Sequence, residues 1–348
     1  MARAINMLAL VTFQFESRRY RLPFRAPMRT ASRLWQEREG WIVRLVSADG
    51  RVGWGEVAPI PEFGTEGIEE ADGAIRALEP LVTQAGIESI PERLTCLRAA
   101  LKAAVSEVST IRVTPGAPEF LPVAALLPAG RPALTAIEPL VEAGFRVFKW
   151  KVGVADIGDE LGLLDDLLAA LPAGSKLRLD ANGAWDRRRA ERWLERCAER
   201  PIEFVEQPVA AGAPGTEDLL MGLAGDYPTS LALDESLVRA GDAERWLGAG
   251  WPGIFVVKPS LMGGADRVLD RMAKSRVRVV FSSAFETAVG ARSALRVAFA
   301  WPGTQLALGF GVWPLFKNPA FDGPAAAPFL RREDAGRINP EAVWSALS

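Results

Sequence analysis

Histidine is absent from all 348 residues. That removes the most frequent general base near neutral pH and the commonest transition-metal ligand. Acid–base chemistry then falls to Lys, Glu, Asp, Tyr or Cys, and any metal must be a hard cation held by oxygens, which argues against zinc. Cysteine is scarce as well. Cys96 and Cys197 stand far apart without metal-ligand spacing and read as reduced thiols of a cytoplasmic protein. Neither sign of charge dominates: the formal net charge is -2, so electrostatics favour neither nucleic acid nor an anionic membrane as partner. No apolar run is long enough to span a bilayer. The opening "MARAINMLALVTFQFESRRYR" lacks a clear cleavage site and passes into strand-like alternation, so no signal peptide is expected. Low-complexity segments are also missing.

What is there is the composition of a soluble globular protein, 49% apolar and 24% charged, long enough for a barrel-sized domain and an accessory one. Residues 1–115 read as an α+β unit. "LVTFQFESRRYRL" and "GWIVRLVSADGRVGWGEVAPI" look like antiparallel strands, the second a hairpin turning at "ADG". Apolar residues at helical spacing follow over roughly 66–108. "TPGAPEF" has the Pro and Gly of a linker. From 116 to 311, eight short apolar segments alternate with helical patterns, which predicts an α/β domain with a parallel sheet closed as a TIM-type barrel. Residues 312–348 are irregular and are expected to pack back on the domains.

The strand "FRVFKWKVG" sets a puzzle, because side chains two apart share a face, and Lys149 and Lys151 are two apart. Burying two neighbouring ammonium groups is costly unless something anionic meets them. The rest of the barrel supplies it. Lys151, Asp180, Glu206, Asp234 and Lys258 each fall near the C-terminal end of a predicted strand, at intervals of 29, 26, 28 and 24 residues. One such interval is about one βα unit, so the five residues are expected to ring the C-terminal mouth, where barrel enzymes keep their active sites. Taken singly, "LDAN" and "LDES" could be helix caps. Taken together, Asp180, Glu206 and Asp234 would repel one another without a cation, and an oxygen-only set favours Mg²⁺. A nearby metal and mutual repulsion are expected to lower the lysine pKa values, so that one lysine can take a proton from carbon while the metal and a second lysine stabilise the enediolate.

The ordered set "KWK", "DAN", "EQP", "DES" and "KPS" resembles the enolase superfamily, in its muconate lactonizing enzyme-like branch, over nearly the whole chain. The resemblance implies a modified TIM-type (β/α)7β barrel with an N-terminal α+β capping domain. It also implies a Mg²⁺-dependent dehydratase acting on a small-molecule carboxylate, the syn-elimination that turns a cyclohexadiene carboxylate into an aromatic acid of menaquinone biosynthesis. In that reading Lys151 takes the α-proton and returns it to the departing hydroxide. Lys149 assists at the carboxylate, and Lys258 steadies the enediolate from the opposite face. Asp180, Glu206 and Asp234 hold the metal, with Asn182 and Glu235 orienting them. Candidate substrate contacts are Ser282 and Ser283 in "FSSAFETAVG", Gly309 and Gly311 in "GFG", and Arg29, Thr30 and Ser32 in a cap loop. The eighth strand lacks the Asp-x-Asp of dipeptide epimerases, which disfavours a dipeptide substrate. An N-succinylamino acid racemase, using Lys151 and Lys258 as two bases, stays open as the alternative. The sequence leaves the oligomeric state undetermined.

Overall fold

The computed structural model describes residues 11–29, 34–78, 80–109 and 117–347. The first part is a four-stranded sheet in the order β3-β2-β1-β4, made of β1 (Thr12–Arg29), β2 (Leu34–Ser47), β3 (Val52–Val57) and β4 (Leu81–Thr83). β1 and β2 pair antiparallel along most of their length, with an irregularity between Pro23 and Met28. Proline has no N–H for the ladder, so a break at that point is the expected response. The helix Thr95–Val108 covers one face through Leu97, Ala100, Leu101, Ala104 and Val108, all buried. Their spacing is that of a helix with one apolar stripe.

The second part is a parallel sheet of eight strands: β5 (Phe120–Leu127), β6 (Val147–Lys151), β7 (Lys176–Asp180), β8 (Ile202–Glu206), β9 (Leu231–Leu233), β10 (Ile254–Val257), β11 (Arg278–Phe281) and β12 (Leu308–Gly311). The order is β11-β10-β9-β8-β7-β6-β5-β12. Parallel bridges from Val279 to Gln305 and from Ser282 to Gly309 join the two ends and close the barrel. A helix follows each of the first seven strands, from Pro132–Glu142 to Ala288–Ala300, and none leads back from the eighth to a ninth parallel strand, which gives (β/α)7β. The short β13 (Phe329–Arg331) lies antiparallel on β5. The chain then returns to the cap, where Trp344 meets Trp54 at 5.5 Å between ring centroids and the Arg18 guanidinium lies 4.4 Å from the Trp344 ring.

The outer face of β6 fixes the direction of its lysines. Phe148 and Trp150 are fully buried, and Trp150 meets Trp193 of the helix Arg187–Cys197, which also stacks on Trp185 at 5.1 Å. With these two residues turned out onto the helix layer, alternation turns Lys149 and Lys151 into the barrel. Among the described residues no helix is long and apolar enough to cross a membrane.

Candidate active site

Strand register brings the charged residues to one level. Lys151 pairs with Asp180 across β6 and β7, and Asp180 pairs with Glu206 across β7 and β8. Lys149 Nζ lies 2.8 Å from Asp180 Oδ2 and 2.7 Å from Glu206 Oε1. Lys258, just past β10, contacts the Asp234 carboxylate. Asp180, Glu206, Asp234 and Lys258 are all buried, so the cluster sits in the protein rather than on a solvated rim.

This arrangement refines the sequence reading in two respects. The three carboxylates are expected to gather on one ion. Instead Asp180 and Glu206 turn to Lys149 while Asp234 turns to Lys258, and among the described residues no three His, Cys, Asp or Glu side chains form a shared ligand set. The ammonium groups act as the counter-charges that three buried acids require. The second respect is the sign of the lysine shifts. Burial lowers Lys258 to about 8, with the Lys149 charge adding to it against the upward pull of Glu206 and Asp180. Lys149 moves the other way: burial would lower it, but Asp180 and Glu206 together raise it above its ordinary value. An ammonium clamped between two carboxylates is stabilised, which outweighs the like-charge repulsion expected from the sequence.

The acids respond in turn. Burial, then Lys149 and Asp180 acting in opposite senses, leaves Glu206 raised. Glu235 is pushed up to about 7 by burial and by the Asp180 charge. Asn182, with φ +44°, donates from its side chain to Glu235 at 3.1 Å and from its backbone N–H to Asp180 at 3.1 Å. Asn182 Oδ1 and Glu235 Oε2 are buried and unpaired. Buried orphan oxygens beside three carboxylates, all hard donors, fit a Mg²⁺ ion with its retained waters.

The sequence reading passed over Gln207. It is fully buried with φ +37°, and its side chain makes four hydrogen bonds. Its Oε1 accepts from the N–H groups of Asp234 (3.0 Å) and Ser236 (3.1 Å), and its Nε2 donates to the Val209 carbonyl (2.9 Å) and the Ser236 hydroxyl (2.8 Å). It ties the strand end carrying Glu206 to the one carrying Asp234. Its place inside "EQP" was the available signal. Glu160 does similar work at β6, accepting from the N–H groups of Gly153, Val154 and Ala155 just beyond Lys151.

On the opposite side of the mouth, Ser282 N–H donates to the Val257 carbonyl, beside Lys258, at 2.9 Å, and the Ser282 hydroxyl reaches the Gly309 carbonyl at 3.3 Å. The Ser283 hydroxyl is committed to Glu286 (3.0 Å) and to the Phe285 N–H (3.0 Å). A Cβ on Gly309 would fall 2.4 Å from Ser282 Oγ, and one on Gly311 2.4 Å from the Ala124 carbonyl, so both positions depend on close backbone approach. From the cap, Phe63 presents its ring 5.1 Å from Lys258 Nζ. Thr30, Ser32 and the side chain of Arg29 lie outside the described residues.

A closed (β/α)7β barrel with buried acids and lysines at its C-terminal mouth, under an α+β cap, defines an enzyme of the enolase superfamily. A family model described as "Enolase C-terminal domain-like" matches residues 133–328, and one described as "MenC, N-terminal domain" matches residues 14–94. The chain belongs to the o-succinylbenzoate synthase family of that superfamily and is a lyase. It is 39% identical to an o-succinylbenzoate synthase of Thermosynechococcus vestitus over 86% of this chain and 92% of that one. The crystal structure of an o-succinylbenzoate synthase from Thermosynechococcus elongatus, complexed with Mg in its active site, superposes with a TM-score of 0.80 at 34% identity, covering 96% of this chain and 99% of the other. An N-succinyl Arg/Lys racemase from Bacillus cereus shares the fold, with a TM-score of 0.77 at 18% identity over 96% and 97% of the two chains.

Proposed function

We propose that this enzyme catalyses the Mg²⁺-dependent syn-dehydration of 2-succinyl-6-hydroxy-2,4-cyclohexadiene-1-carboxylate to o-succinylbenzoate, a step of menaquinone biosynthesis in the cytoplasm. The observation that carries it is the register of Lys151, Asp180 and Glu206 on three neighbouring strands, with Lys258 facing them from the sixth. Relatedness to o-succinylbenzoate synthases over most of the chain supports it.

Asp180, Glu206 and Asp234 would hold Mg²⁺, with Asn182 and Glu235 orienting them. The ion, when bound, supplies positive charge beside the substrate carboxylate and so acidifies the neighbouring C–H. Lys151 removes the α-proton from one face. Lys258, an ammonium held against Asp234, lies on the other face and donates to the enediolate oxygen as it gains charge. Lys149 keeps the carboxylate end of the site positive. Lys151, now protonated, delivers its proton to the hydroxyl leaving from the same face, so the base of the first half is the acid of the second. From the cap, Phe63 beside Lys258 shields that side of the site from bulk water. Ser282, Gly309 and Gly311 are assigned to the succinyl arm.

The test is direct. Purified enzyme converts the cyclohexadiene substrate to the aromatic product with Mg²⁺, loses the activity in EDTA and regains it on adding Mg²⁺. Turnover undiminished by exhaustive chelation would reject the metal assignment. One observation favours a second activity: Lys151 ends the second barrel strand and Lys258 follows the sixth, so Lys258, its pKa lowered by burial, can serve as a second base. Deuterium exchange at the α-carbon of N-succinylamino acids with loss of chirality would establish racemisation, and retention of the α-proton would exclude it.

A further inference from the structure

Arg38 lies on β2 of the cap, in "WQEREG". The residue is 1% exposed. Its guanidinium donates within the cap to the carbonyls of Ala58 and Pro59, the latter at 2.8 Å. It also crosses to the barrel, reaching the carbonyls of Phe285 at 3.2 Å and Ala284 at 3.4 Å. A planar fork of five N–H donors is the group able to join carbonyls of two separate segments. The guanidinium also lies 5.1 Å from the Trp35 ring, and Trp35 meets Phe285 edge-on with centroids 6.1 Å apart.

The barrel segment gripped in this way is strained. Phe285 has φ +58°, a left-handed conformation that a bulky aromatic adopts only when its surroundings enforce it. The same bend carries Ser282 and Ser283 at the end of β11, next to Lys258. Its far end is held from the cap too. Glu56 of β3, buried, accepts from the N–H groups of Thr287 (2.9 Å) and Gly290 (2.9 Å) and from the Thr287 and Tyr20 hydroxyls, both at 2.5 Å. Within the turn Ser283 and Glu286 supply local bonds, and the cap adds restraints at both ends, from residues far away in sequence.

We propose that Arg38 is a positioning residue for substrate recognition: through it the cap sets the Ser282–Phe285 bend in the shape that receives the substrate's second, succinyl carboxylate. The Ser282 hydroxyl, whose bond to Gly309 is long at 3.3 Å, is the donor that turns to this group. Its direction depends on the bend, and the bend depends on the clamp. The inference rests on the dehydratase reading for the identity of the ligand.

Isothermal titration of o-succinylbenzoate and, separately, of Mg²⁺ into wild-type enzyme, Arg38→Met and Arg38→Lys tests it. Both variants are expected to bind the product at least about tenfold more weakly while Mg²⁺ affinity stays at the wild-type value, since misplacement far from the chemistry suffices for such losses. Arg38→Lys keeps a charge and stem but cannot span both segments. Adding Phe285→Gly to Arg38→Met lets the left-handed turn form unaided and recovers part of the product affinity. A purely structural Arg38 predicts further loss on that addition. Unchanged product affinity in a folded variant, a parallel fall in Mg²⁺ affinity, or failure of both single variants to fold would overturn the proposal. Failure of the wild-type enzyme to bind o-succinylbenzoate would instead sink the dehydratase reading.

Discussion

Replacing Gln207 by leucine tests whether the strand ends are held for metal binding. The substitution removes four buried hydrogen bonds, two accepted from the N–H groups of Asp234 and Ser236 and two donated to Val209 and Ser236. At a net of about 1 kcal/mol each, the loss in metal-free protein is about 4 kcal/mol, at the upper end for a point mutant. The bonds matter beyond stability because they tie the Glu206 strand end to Asp234, and partners that orient ligands typically change metal affinity by about 10–100-fold. Two measurements separate the effects: urea denaturation in EDTA, and titration calorimetry with Mg²⁺ on protein verified as folded. Gln207→Glu keeps the two accepting contacts and loses the donating pair, so it falls between wild type and Gln207→Leu in both. If folded Gln207→Leu binds Mg²⁺ within about threefold of wild type, the reasoning that this amide organises the ligands is wrong.

Lys149→Met leaves Asp180 and Glu206 facing each other without the ammonium between them, so metal-free stability falls by about 3–5 kcal/mol, and saturating Mg²⁺ recovers part of it; an unchanged urea midpoint in EDTA would contradict this. Lys258 gives a pH dependence. Burial lowers its folded pKa to about 8 from the ordinary 10.5, so between those values the unfolded chain holds the extra proton and stability rises with pH across that window. The metal-free wild type minus Lys258→Met difference should climb by about 3 kcal/mol from pH 8 to 10.5, and a flat difference would refute the shift. Cys96 and Cys197 are buried, and burial pushes the Cys197 thiol up to about 12, so neither reacts with a thiol reagent until the protein unfolds; rapid labelling of native protein would count against the fold as described.

The fold and the charged ring were legible because both are periodic. Each barrel strand is a short apolar run ending in a polar residue, and the spacing of Lys151, Asp180, Glu206, Asp234 and Lys258 repeats the βα unit that carries them. The covered outer face of β6 could be inferred from Phe148 and Trp150 alone. What could not be read is what depends on contacts far apart in sequence. No motif or spacing marks Arg38 or Glu56, and only folding brings them against Phe285 and Thr287, more than two hundred residues away. Gln207 looks like a spacer in a motif, because its value lies in a left-handed turn that aims its amide at the next strand. Lys149 reversed its expected shift for a similar reason. Spacing placed it beside a like charge, while the folded geometry set it between two opposite ones.

The central claim is that Lys151 moves a proton on and off one face of a Mg²⁺-held carboxylate. Following the loss of the cyclohexadiene substrate's absorbance with Mg²⁺ present, for wild type and for a folded Lys151→Ala variant, addresses it in one assay. The account predicts rapid conversion to o-succinylbenzoate by wild type and a rate lowered by at least about a thousandfold in the variant, a loss within the range expected for a general acid–base group. Conversion by Lys151→Ala at a rate near that of wild type would contradict it.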